Sequence, residues 1–227
     1  ALQIIHQFKK IGVPVEVTCI HDPSIPSITV GETTASPLLT MMNETLEFRV
    51  LRDMETFNGT LKYGTWYHNF SKEPFNTWHA QPAMHIDASK FAGFILNKLS
   101  ELYKDFYKVE EIIDTVIEYQ EVEDYVGVLC KNNSYRFDFL IDSRGFPTAD
   151  ELETECIIPK FETVNSAIIF AEKVTTGEMA TSAIAHDHGW MFGIPLSHRK
   201  AHGFLYNNTI TSYDDAVETF KKIKNLT

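Results

Sequence analysis

The feature that most constrains this chain is a pair of extended aromatic segments near its end, Gly189-Trp190-Met191-Phe192-Gly193-Ile194-Pro195-Leu196 and Gly203-Phe204-Leu205-Tyr206. Both are built from residues that favour a pleated surface, and they read as paired strands. A pair alone cannot bury an aromatic face, so the chain needs a larger sheet. Further strands are predicted at Ala167–Ala171, at Gly59–His68, and at Val13–Ile20, a β-branched run ended by His21-Asp22-Pro23. Tyr125–Cys130, a turn at Asn132-Asn133, and Tyr135–Asp142 form an antiparallel hairpin or meander.

Helices are predicted over residues 1–10, around Leu38 to Met54, over Ala88–Tyr103 behind an Asp87 cap, and from Tyr213 onward. Phe91, Phe94, Ile95, Leu99 and Leu102 fall on one face of the third of these. The helix at 1–10 followed by the strand at 13–20 is half of a βαβ unit. The expected class is therefore mixed α/β with an antiparallel sheet, in one interwoven module over residues 1–227. No internal repeat or low-complexity linker interrupts it. The chain begins inside an element, and a longer parent is expected.

Of the 227 residues 44% are hydrophobic, enough for a globular core, and the formal net charge is −11. No global basic field exists to draw in phosphate backbones or anionic lipid, which argues against nucleic acid and membranes as partners. No apolar run approaches the roughly 20 residues that cross a bilayer, and a cytoplasmic protein is expected. Cys19, Cys130 and Cys156 are odd in number and far apart, so buried reduced thiols are expected rather than a disulfide or zinc framework. His186-Asp187-His188, with His198 and His202, has no specific metal-ligand spacing.

Four stretches, in order, resemble the flavin-dependent halogenases of the tryptophan-halogenase type. Ile25-Pro26-Ser27-Ile28-Thr29-Val30-Gly31-Glu32-Thr33-Thr34 is similar to the family loop that lies against the flavin. Asn58-Gly59-Thr60-Leu61-Lys62-Tyr63-Gly64 is similar to the segment that holds the family's essential lysine. Leu140-Ile141-Asp142-Ser143-Arg144-Gly145-Phe146 resembles a turn near the cofactor. His188 to Arg199 resembles G-W-x-W-x-I-P-L-x-H-R, with Phe192 in place of the second Trp, and Gly203–Tyr206 follows where the family has G-Y-V-Y. The resemblance implies a Rossmann-like FAD-binding fold of the flavoprotein monooxygenase type with an inserted antiparallel sheet, incomplete at both ends. The family's G-x-G-x-x-G turn and catalytic glutamate have no counterpart in this sequence, and the fragment alone is expected to bind FAD poorly and to be inactive.

What the resemblance implies for chemistry is specific. Reduced FAD (FADH2) with O2 converts halide to hypohalous acid, and Lys62 relays it to an electron-rich indole, pyrrole or phenol. Trp190, Phe192, Ile194 and Pro195 would wall the substrate from the flavin. Two aromatics two apart on an extended segment point to one face. Val30, Gly31, Glu32, Thr33, Asp142 and Gly145 would line the cofactor, with Asp22 substituting for the usual ribose-binding acid, whose position is taken by His21. A separate flavin reductase is the implied partner, and oligomeric state is left open. The alternatives are an aromatic monooxygenase, which needs neither Lys62 nor the wall, and a non-catalytic homologue.

Overall fold

A computed structural model describes residues 2–25, 30–104, 107–145, 157, 160–173 and 177–225. The chain forms two compact units, residues 1–28 with 99–158 and residues 29–98 with 159–227. The mixed α/β class is the one expected from the sequence.

In the first unit, α1 (Leu2–Lys10) carries its lysines at the C-terminal end, where positive charge suits the helix dipole. It buries Ile5, and its Lys9 ammonium donates to the Leu102 carbonyl. Strand β1 (Val15–His21) pairs in parallel with a strand at Tyr107–Ile113, from Val15↔Tyr107 to His21↔Ile113. That partner was not apparent in the sequence. A three-stranded antiparallel meander follows, Val116–Val122, Tyr125–Cys130 and Ser134–Phe137. The expected strand to Asp142 ends at Phe137 instead, and residues 138–142 are irregular. Asp114 anchors the meander by accepting from the Thr115 amide and from the Asn132 side chain at 2.9 Å.

The second unit is a seven-stranded sheet. In chain order its strands are β2 (Glu32–Thr33), β3 (Thr60–His68), β4 (Phe75–Ile86), then, after those of the first unit, β9 (Ser166–Glu172), β10 (Ala180–His186), β11 (Gly189–Pro195) and β12 (Lys200–Tyr206). Their spatial order is β2-β4-β3-β10-β11-β12-β9. Among the described residues only the β3–β10 pair is parallel; all other pairs in the sheet are antiparallel. The two aromatic segments are neighbours, with Trp190 opposite Leu205 and Phe192 opposite Gly203.

One face of this sheet carries Met191, Phe204 and Tyr206 and is covered by the C-terminal helix α5 (Tyr213–Lys224) through Ala216 and Phe220. Ser212 caps that helix by accepting from the Asp215 amide. A cluster of Phe48, Phe57, Phe91 and Phe94 packs edge to face and tilted beside β3. The single helix expected over 38–54 is broken into Ser36–Leu46 and Val50–Asp53, followed by a 3-10 turn at Met54–Phe57. The break is at Glu47, whose φ of 51° ends the first helix with its N–H on the Met42 carbonyl. The Asp53 carboxylate accepts from the Arg49 amide at 2.7 Å and starts the next.

Of the thiols, Cys130 is buried as expected, Cys19 is exposed, and Cys156 lies outside the described residues. Cys19 sits on a two-stranded parallel pair, too narrow to cover both faces. No helix among the described residues is long and apolar enough to cross a membrane.

Candidate active site

Lys62 lies on β3 opposite Ala83 of β4, just before a bulge between Lys62 and Gly64. Alternation puts Thr60, Lys62, Ala83 and His85 on one face. The His85 ring meets the Thr181 hydroxyl at 3.0 Å, so Thr181 faces the same way. Ala183, two residues on, is opposite Phe192, and alternation along that strand puts Phe192 on one face with Trp190 and Ile194. Their rings meet as expected, Trp190 and Phe192 having centroids 6.2 Å apart. The Phe192 ring lies directly over Gly203, where a Cβ would fall 2.2 Å from the ring edge. Ile194 is buried with Leu196 and Ala201, and Phe192 packs against them.

The Lys62 side chain is buried, 8% exposed, and among the described residues it has no hydrogen-bond or ion-pair partner. Loss of solvation disfavours the ammonium and lowers its pKa. The result is an amine nearer to neutrality than an ordinary lysine, two strands away from the aromatic strand in the sheet order.

The loop expected to meet a flavin is partly described. Pro26 to Thr29 lie outside the described residues. Val30 packs against the Ile194–Leu196–Ala201 cluster. Gly31 is buried with φ 130°, a conformation that favours glycine. Glu32 and Thr33 are exposed and pair with Ile86 and His85. The Arg199 guanidinium, from the end of the signature segment, donates to the Val30 carbonyl at 3.3 Å and lies 3.7 Å from Asp87. Asp87 is buried, and burial alone would raise its pKa. Hydrogen bonds from Ser89 and Asn58, with Arg199 close by, bring it below the ordinary value instead. Helix cap and loop anchor are thus one carboxylate.

The remaining sequence-predicted residues belong to the first unit. Asp22 follows the carboxyl end of β1, where ligands of open parallel sheets bind. Hydrogen bonds from Ser24 and Thr115 hold its pKa down to about 2, so it is an ionised, half-buried acceptor. Asp142 is held by Arg144 in a two-pronged contact at 2.8–3.2 Å that also keeps its pKa low. Gly145 has φ 100° with open space where a Cβ would stand.

Sequence reasoning missed His85, which is fully buried. Burial, with the charges of Lys62 and Lys200, pushes its pKa down to about 3. Its Nδ1 meets the Thr60 hydroxyl at 3.0 Å, and that hydroxyl donates to the Pro195 carbonyl at 2.6 Å. The other histidines make no metal site. His186 stacks on Phe204 at 3.8 Å and His188 meets Thr211. No group of three or more His, Cys, Asp or Glu among the described residues could hold an ion.

Comparison with known proteins adds the following. The sequence profile of the tryptophan halogenases matches residues 75–226, more than half of the chain, taking in the Asp142 and Trp190 segments but not those of Gly31 and Lys62. No curated protein sequence matches. Among solved structures, a flavin-dependent halogenase from Xanthomonas campestris aligns with a TM-score of 0.79 at 17% identity, covering 100% of this chain and 57% of that one. A tryptophan 6-halogenase from Streptomyces toxytricini gives 0.76 at 17%, covering 97% and 58%. A tryptophan halogenase from Shewanella frigidimarina gives 0.70 at 15%, covering 94% and 53%. The chain thus spans little more than half the length of these structures, and at such identities the likeness is one of fold.

Proposed function

We propose, from the premise that this chain belongs to the tryptophan halogenase family, that it serves halogenation of an electron-rich aromatic small molecule of the indole, pyrrole or phenol type. The observation that carries the reading is Lys62, a buried amine without a partner among the described residues, on the same seven-stranded sheet as Trp190, Phe192 and Ile194. FAD, supplied reduced by a separate flavin reductase, provides with O2 the oxidising power that turns halide into hypohalous acid.

The residues fit that cofactor. Gly31 lets backbone come close, and Asp22 offers an ionised acceptor at a strand's carboxyl end. Asp142 and Gly145 are further cofactor candidates within the first unit, and Val30, Glu32 and Thr33 are those beside Gly31 in the second.

Lys62 then handles the electrophile. Its neutral amine has a free lone pair, which either hydrogen-bonds hypohalous acid or attacks the halogen. In the second case an N–halogen bond forms, the O–halogen bond breaks, and the amine proton leaves with hydroxide as water. The aromatic carbon next takes the halogen, its ring proton is lost, and the amine is restored. An ammonium can still donate a hydrogen bond to hypohalous acid but has no lone pair with which to attack the halogen, so the lowered pKa of Lys62 favours the second route. Trp190, Phe192 and Ile194 form the wall that keeps substrate from the flavin, favouring transfer through lysine over direct oxygenation; Pro195, expected in the same wall, pairs with Lys200 and alternates to the other face.

The test is mass spectrometry of products formed by the full-length protein with FAD, a flavin reductase, NADH, and bromide or chloride over a panel of indoles, pyrroles and phenols. A halogen isotope pattern that disappears without halide is expected. Addition of oxygen in its place would assign a monooxygenase, and absence of both product and flavin binding would assign a non-catalytic module.

A further inference from the structure

The ladder between β3 and β10 begins only at Gly64, paired with Ala180. One more main-chain bond, from the Tyr63 amide to the Met179 carbonyl at 2.7 Å, precedes it. The bulge after Lys62 shifts the strand out of step, so the stretch Thr60 to Lys62 has β4 as its sole ladder partner. A half-paired strand is a poor platform for a group that must be placed within about 1 Å. The tie comes from one main-chain bond, the Ser197 amide to the Asn58 carbonyl at 3.1 Å, and from side chains. Thr60 reaches past β10 to the Pro195 carbonyl, at the end of the aromatic strand, and behind Thr60 stands His85.

The proton count fixes the state of that histidine. The Thr60 hydroxyl has one proton, and the Pro195 carbonyl, 2.6 Å away, can only accept it. His85 Nδ1, 3.0 Å from the same oxygen, must therefore donate. In the opposite tautomer Nδ1 would take the Thr60 proton and leave two oxygens facing each other. A cationic ring would satisfy the same bonds, but it would be fully buried, with Lys62 and Lys200 as the nearby charges and no carboxylate in hydrogen bond with it. Nε2 is then an acceptor, filled by the Thr181 hydroxyl at 3.0 Å. The main chain at His85 pairs with Thr33 on one side and Thr60 on the other, so cofactor loop, lysine strand and aromatic strand all meet at this residue.

We propose that His85 is the positioning residue of the site: a permanently neutral Nδ1–H imidazole, clamped between Thr181 and Thr60, that holds the Lys62 stretch of β3 against the Pro195 end of the aromatic strand. The role in transfer rests on Lys62 as the relay; the tautomer lock does not.

Two measurements test it. In the wild-type protein labelled with 15N-histidine, His85 should show a protonated Nδ1 and a bare Nε2, unchanged from about pH 5.5 to 8, the range in which an ordinary histidine titrates. A protonated Nε2, or titration in that range, overturns the lock whether or not the protein halogenates anything. In turnover, His85→Leu and Thr60→Val should leave hypohalous acid release at the wild-type level while halogenated product falls about tenfold, the scale of a small misplacement. His85→Gln, which keeps a donor and an acceptor, should recover part of it. An unchanged ratio of product to hypohalous acid in Thr60→Val and Thr181→Val, each close to isosteric, overturns the positioning role even if His85→Leu does not fold. A wild type that makes hypohalous acid but no halogenated product refutes the reading of Lys62, with the 15N result still deciding the lock.

Discussion

Lys62 and Lys200 belong to one sheet and are both largely buried, yet they answer burial differently. Lys200, on the face opposite Phe192 and Ile194, pairs with Glu178. Lys62 has no partner among the described residues, and its pKa falls. A charge taken out of water is either paired or pushed towards neutrality. The first outcome makes a structural ion pair, and the second leaves an amine nearer to neutrality. The sheet thus holds two lysines of one composition and two chemistries, separated by the presence of one carboxylate.

The largest test of that contrast is Lys62→Ala. Halogenation should drop by about a hundredfold or more while O2 uptake continues, a loss typical of removing a nucleophile. Lys62→Arg should not restore it, because a guanidinium stays charged. Retained product in either variant, measured by mass spectrometry, would reduce Lys62 to a strand residue. Next comes conversion of one lysine type into the other. Ala83→Asp places a carboxylate opposite Lys62, so product at neutral pH should fall about tenfold, as one pKa unit requires. Activity should return as pH rises and the ammonium loses its proton. Ala83→Asn, equal in size, separates charge from crowding: an equal loss there would mean that bulk is responsible.

A third effect lies in stability. His85 has a folded pKa of about 3 against an ordinary 6.5, so between those values the unfolded chain binds more protons. Stability should therefore rise with pH across that window and fall on acidification, and His85→Leu should flatten the slope in urea unfolding. An unflattened slope would place the acid sensitivity elsewhere. Lys62 acts with the same sign at the alkaline end, its lowered pKa adding stability as pH climbs towards 10.5. The smallest effect is Glu178→Gln, which leaves Lys200 unpaired. Because Glu178 is nearly half exposed, about 1 kcal/mol or less is expected from thermal unfolding.

The sequence was legible where chemistry and periodicity coincide. The strands around Lys62, Trp190 and Phe204 announce themselves by aromatic and β-branched residues, and the α4 helix (Ala88–Tyr103) by its phenylalanine stripe and Asp87 cap. Strands β4 and β10 were not legible. The first contains Gln81-Pro82, and the second, Ala180-Thr181-Ser182-Ala183, is made of small residues that report no preference. His85 and Thr181 lie on those two strands, so the polar chain behind Lys62 was hidden with them. The meeting of Trp190 and Phe192 was readable because alternation alone puts them together. The break at Glu47 was not, because a left-handed glutamate gives no glycine to mark it.

The one parallel pairing in the second unit also has a consequence in time. The β3–β4 hairpin, with Lys62 on it, can form as soon as residue 86 has been synthesised, but the neighbour at Ala180 emerges only after the whole 99–158 segment of the first unit. Closing so long a loop is slow, and it is paid in chain entropy before any contact rewards it. In the interval the Gly64–His68 edge stands open beside the exposed Trp66 and Trp78. The two halves of the site are thus born apart, and a nascent chain arrested between them displays a sticky strand edge that a chaperone or a second nascent chain can reach first.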